Sequence, residues 1–97
     1  MATQLENQTE LLTDEPKQFA VFMLNDHFTT WNFCIRIICT VFHKTVDEAD
    51  AITRDIHTKG KGLCGIYSYE IAETKASIVR QQARKEGFPM RCSVEER

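Results

Sequence analysis

A surplus of positive charge is missing from this 97-residue chain, in which 12 Lys and Arg stand against 14 Asp and Glu for a formal net charge of −2. Proteins that hold nucleic acid usually gather a basic face, so no nucleic-acid partner is expected. Long apolar runs are missing too: nothing approaches the ~20 consecutive apolar residues of a membrane span. The segment 1–16 also has neither the basic start nor the apolar stretch of a secretory signal. The expectation is a cytoplasmic protein with no membrane partner. The four cysteines, Cys34, Cys39, Cys64 and Cys92, contain no C-x-x-C pair and sit among Ile, Phe, Leu, Val and Met. They read as buried thiols in a reducing compartment, not as a disulfide framework or a zinc site. His27 and His43 add no zinc spacing, so neither a metal nor a cofactor is expected.

What is present suits one small domain. The chain is 42% hydrophobic and 27% charged, the balance of an ordinary globule, and its length leaves no room for a second core. Residues 1–17 carry Glu6, Glu10, Asp14 and Glu15 and only three leucines. They read as a flexible acidic tail, leaving 18–97 as the folded core.

The run Phe19–Leu24 is apolar and stops at Asn25-Asp26, which reads as a buried, central strand followed by a turn. Thr29 is a good N-cap for a first helix over about 30–43, where Trp31, Cys34, Ile35, Ile38 and Phe42 mark one apolar face and Phe33, Ile37 and Val41 a second. Thr45-Val46-Asp47-Glu48 has the form of a capping box, so a second helix begins at Val46 and buries Ala49, Ile52 and Ile56. Gly60 and Gly62 end it. Leu63, Cys64, Ile66 and Tyr67 form a second strand, Ser68 caps a third helix over 69–86, and 90–94 adds a third strand. The order β-α-α-β-α-β predicts an α+β sandwich: a three-stranded antiparallel sheet with three helices packed on one face.

Two places break local rules. A polar Asn25-Asp26 closes a buried strand, and His57 follows the core residue Ile56 near the end of the second helix. If the two ends meet, an amide, a carboxylate and an imidazole surround one small cavity. Such a set consists mainly of acceptors, and an ammonium with its three donors complements it. Trp31, Cys34, Ile56 and Met90 nearby are apolar, so an amine beside a bulky hydrocarbon suits both halves. The first residue of a polypeptide is such a ligand.

At these residues the chain resembles the ClpS family, adaptors of the bacterial and plastid Clp protease that recognise N-degrons. The resemblance spans about residues 18–95 and rests on four ordered blocks: Leu24-Asn25-Asp26 with Phe28-Thr29; His57 with Gly60 and Cys64-Gly65-Ile66-Tyr67; Glu70-Ile71-Ala72-Glu73-Thr74-Lys75; and Pro89-Met90-Arg91-Cys92. It implies that Asn25 and His57, with Asp26, bind the α-amino group of a substrate beginning with Leu, Phe, Tyr or Trp. Thr29, Trp31, Cys34, Thr53, Ile56 and Met90 would then line the side-chain pocket. It further implies that Glu70 and Lys75, on the exposed first turns of the third helix, dock on the N-terminal domain of a ClpA-type or ClpC-type AAA+ unfoldase, and that the tail assists in handing over substrate. The chain departs from the family in having His27 where a second acid is usual, Trp31 at a gate position more often Met, and Thr53 in place of a more apolar residue.

Two other functions compete with a non-enzymatic adaptor of this kind. One is a partner-docking domain of the same fold that does not select N-termini. The other is an enzyme, for which Cys64 and His57 are the only candidate nucleophile and base.

Overall fold

The computed structural model describes residues 16–97; the expected tail lies almost wholly outside them. Three strands and three helices follow in the order β1 (Phe19–Leu24), α1 (Trp31–Val41), α2 (Val46–Lys59), β2 (Lys61–Tyr67), α3 (Tyr69–Lys85) and β3 (Arg91–Glu96). β1 is central in an antiparallel sheet ordered β2-β1-β3. Its neighbours are joined to it through helices, not hairpins, so both of its edges are paired by residues distant in sequence. The helices cover one face of the sheet, as expected of the α+β sandwich.

Period-two alternation decides which strand side chains reach that face. Val21 and Met23 of β1 are fully buried, and Cys92 and Val94 of β3 join the same core. The β1–β2 register shifts between Val21 and Phe22, so that Val21 faces Gly65 and Phe22 faces Leu63. Cys64 is the extra residue of that bulge, and it is fully buried. From the helices, Phe33, Cys34, Ile37 and Ile38 of α1, Ala49 and Ile56 of α2, and Ala72, Ala76, Val79 and Ala83 of α3 complete the core. The alanine stripe lets α3 lie close to the sheet. The two apolar faces expected on α1 merge into one buried stripe, and Trp31 stands outside it.

Several boundaries differ from the sequence expectations for identifiable reasons. The N-cap of α1 is Thr30, whose hydroxyl accepts from the Phe33 amide at 3.1 Å, not Thr29. The Thr29 hydroxyl is committed to Asp26. α1 ends at Val41, because His43 adopts a left-handed backbone with φ of 56°. The capping box of α2 forms in full between Thr45 and Glu48. Gly60 closes that helix with φ of 90°, a conformation glycine adopts without strain.

Gly62 does not end the helix; it lies in β2, where a Cβ would sit 2.7 Å from the Ile52 carbonyl oxygen and 2.7 Å from Ile56 Cγ1. Its smallness lets β2 run against α2. Ser68 occupies the N-cap position of α3 without a side-chain bond to the helix. β3 begins one residue later than expected and runs to Glu96.

Candidate functional site

The end of β1 and the end of α2 are tied together. The Asn25 amide donates to the Gly60 carbonyl at 2.9 Å, and the Gly60 amide donates to Ile56 at 3.1 Å. The left-handed turn at Gly60 therefore holds the strand terminus against the last helical turn, which carries His57. Asn25 and His57, 32 positions apart by their numbers, belong to one end of the molecule.

Asp26 organises the loop that follows. One carboxylate oxygen accepts from the Phe28 amide at 2.8 Å and the Thr29 amide at 2.6 Å, and the other accepts from the Thr29 hydroxyl at 2.6 Å. Burial alone would raise its pKa. The hydrogen bonds from Thr29 and Phe28, with the nearby Arg91 charge, outweigh burial and hold the carboxyl below its ordinary value. The group is thus an anion at neutral pH, but three of its roughly four lone-pair sites are already used within the loop.

His57 is exposed on the surface of α2, and its Nδ1 lies 2.9 Å from the Thr53 carbonyl oxygen. A carbonyl only accepts, so Nδ1 carries the proton and Nε2 of the neutral ring is left as an acceptor. Trp31, the first residue of α1, lays its ring against this imidazole, with centroids 4.9 Å apart and planes inclined by 33°. That contact bridges the start of α1 and the end of α2.

Beneath these groups lie the other expected pocket residues. Cys34 and Ile56 are 1% exposed, Met90 is 6% and Thr29 is 8% exposed, and Thr53 is fully buried. The Thr53 hydroxyl is spent on the Ala49 carbonyl at 2.7 Å, so it leaves no unpaired polar atom. Cys34, Ile56 and Met90 belong to the buried core cluster. Open clefts occur on other faces of the described residues. One of about 410 Å³ runs between α2 and β2 beside Lys44, Ile52 and Leu63. Another of about 500 Å³ runs between α1 and α3 beside Arg36, His43 and Gln82.

Glu70 is exposed in the first turn of α3. Lys75 is not free on that face, contrary to expectation. Its ammonium donates to the Val41 carbonyl at 2.6 Å and lies 5.1 Å from the Tyr67 ring centre and 5.9 Å from that of Phe42. It satisfies a carbonyl that the end of α1 would otherwise leave without a partner. Lys75→Ala is expected to lower the stability of the protein by about 1 kcal/mol, read as a reduced urea midpoint. An unchanged midpoint would contradict a structural role for this lysine.

Burial pushes the Cys34 and Cys92 thiols up to about 11, and it pushes Cys64 higher still. Cys39 is only half-buried, unlike the other three and unlike the expectation. Cys64 donates weakly to the Gly62 carbonyl at 3.7 Å. A buried, protonated thiol is a poor nucleophile, and the His57 nitrogen facing the protein is already engaged with Thr53. No group of three or more metal-ligating side chains occurs among the described residues. None of their helices is long and apolar enough to cross a membrane.

The family described as "ATP-dependent Clp protease adaptor protein ClpS" matches residues 14–93. The chain belongs to the ClpS family. Among curated relatives, the ClpS adapter of Helicobacter hepaticus is 50% identical over 94 residues, covering 97% of this chain and 95% of the relative. That of Wolinella succinogenes is 41% identical over 91 residues, covering 94% and 89%. Among solved structures, that of Agrobacterium tumefaciens ClpS2 bound to L-phenylalaninamide superposes with a TM-score of 0.83 at 28% identity, covering 86% of this chain and all of that one. The protein is thus an adaptor of the Clp protease. Membership in ClpS was legible from the four sequence blocks, whereas the contact of Trp31 with His57 was not, since no spacing along the chain announces it.

Proposed function

We propose that this ClpS protein receives the free α-amino group of a polypeptide between Asn25 and His57 and delivers that polypeptide to the AAA+ unfoldase of the Clp protease. The observation that carries this reading is the engagement of His57 Nδ1 by the Thr53 carbonyl oxygen 2.9 Å away. With Nδ1 engaged by Thr53, Nε2 faces away from its own helix backbone as an acceptor, beside a strand end that brings Asn25 and the Asp26 anion. An ammonium offers the matching donors and the matching charge. L-Phenylalaninamide, the ligand of the A. tumefaciens ClpS2 structure, combines a free amine with an apolar ring.

The first side chain enters above Cys34, Ile56 and Met90, with Thr29, Trp31 and Thr53 around it. Met90 is the member that yields most cheaply, because its unbranched side chain has three rotatable bonds. Leu, Phe, Tyr and Trp are the first residues that such an apolar site prefers. Glu70 and the α3 surface around it supply the dock for the N-terminal domain of a ClpA-type or ClpC-type unfoldase. Lys75 contributes there through the tie it makes to α1. The protein needs no chemistry of its own for this work, and it acts in the cytoplasm. Residues 1–17 serve the hand-over to the unfoldase.

The packed state of Cys34, Ile56 and Met90 favours a second reading, a partner-docking domain that does not select N-termini. Fluorescence anisotropy with peptides that differ only in their first residue separates the two. The adaptor reading predicts micromolar or tighter binding for Leu, Phe, Tyr and Trp and none for Ala or Glu. Equal affinity across the panel, or none, supports the second reading.

A further inference from the structure

The amine site is short of negative partners. Three hydrogen bonds within the loop already occupy the Asp26 carboxylate. The residues flanking it, Asn25 and His27, carry no second carboxylate. One large group at the site remains without an assigned part in holding the amine: the chain's single tryptophan, whose ring lies against His57. Trp31 is 38% exposed and joins none of the buried core, so core packing does not account for its size. Its position as the first residue of α1, directly after the cap Thr30, fixes its backbone while leaving its ring at the surface.

Geometry connects this ring to the ligand. A donor hydrogen-bonded to His57 Nε2 stands about 2.9 Å from that nitrogen, hence roughly 4 Å from the imidazole centre. The indole centre lies 4.9 Å from that same centre, so the Trp31 ring borders the atom that Nε2 binds, and an aromatic face attracts a cation within about 6 Å of its centroid. From this we infer that Trp31 supplies an aromatic wall to the substrate's α-ammonium, holding it by a cation–π contact in addition to the hydrogen bonds the ammonium donates to Asn25 and His57. Tryptophan gives the strongest such contact of the aromatic residues, and here it offsets the scarcity of free carboxylate oxygens. The inference rests on the amine-binding reading above.

Because Trp31 is the only tryptophan in the chain, biosynthetic replacement by mono-, di- and trifluorotryptophan alters this one ring. Fluorine withdraws charge from the ring face with little change in shape. Binding of a fluorescent Leu-initiated peptide to the full chain is expected to weaken stepwise along the series, by about two- to fivefold in total. Trp31→Leu, which keeps an apolar side chain and removes the ring, is expected to weaken binding at least as much, with the circular dichroism spectrum unchanged. If Trp31 made only apolar contact, fluorination would leave affinity flat or tighten it, and that result overturns the inference while leaving amine recognition intact. Failure of the unsubstituted protein to bind the Leu-initiated peptide overturns both.

Discussion

Acetylating the first residue of a Leu-initiated peptide is expected to weaken its binding to this protein by about 100-fold or more. The magnitude follows from how the binding energy divides. Burying a leucine or phenylalanine side chain contributes ~1.5–3 kcal/mol, whereas micromolar affinity corresponds to about 8 kcal/mol. The apolar contact therefore falls well short alone. Charge-assisted hydrogen bonds contribute roughly 1.5–3 kcal/mol each, and two of them, to Asn25 and His57, supply much of the difference. Acetylation removes the charge and two of the three donors while leaving the side chain untouched. The same arithmetic explains why an internal leucine would be ignored. Titrating the free and acetylated peptides side by side checks the prediction, and equal affinities would show that the amine makes no difference.

Asn25→Ala and His57→Ala should each weaken the free peptide by at least about tenfold while leaving the fold intact. The structure separates the two effects. The link between β1 and α2 runs through the Asn25 backbone amide to Gly60, and alanine preserves it. His57 is exposed, and its side-chain bond is to a carbonyl of its own helix, so its removal leaves no buried group without a partner. Urea midpoints of both variants should therefore stay close to that of the unaltered protein while anisotropy titrations lose their signal. Retained binding in His57→Ala would show that the imidazole does not hold the amine.

Local chemistry made much of the fold legible in the sequence. The Thr45–Glu48 box and Gly60 act within a few residues of themselves, and they begin and end α2 as expected. The apolar run Phe19–Leu24 took the central position in the sheet. Between the adjacent threonines the expectation failed, because Asp26 captures Thr29 through a loop bond that propensity does not register, leaving Thr30 to cap α1.

Long-range contacts were the least legible. Lys75 reads as a surface charge in a helical pattern, yet it reaches a carbonyl 34 residues earlier. Trp31 meets His57 only because two helix ends converge. Gly62 reads as a helix stop, and only the approach of Ile52 and Ile56 shows why it has no side chain. At the candidate site the residue types were legible, but the bond between Asn25 and Gly60 that unites the two ends had to be seen.

Nitrogen NMR of the His57 side chain, recorded before and after saturation with a Leu-initiated peptide, addresses amine capture at its source. The account predicts a neutral ring that stays protonated on Nδ1 in both states, with the Nε2 resonance moving as that atom accepts a hydrogen bond from the ammonium. An Nε2 signal unmoved by a peptide that demonstrably binds, or a proton relocated to Nε2, would contradict it.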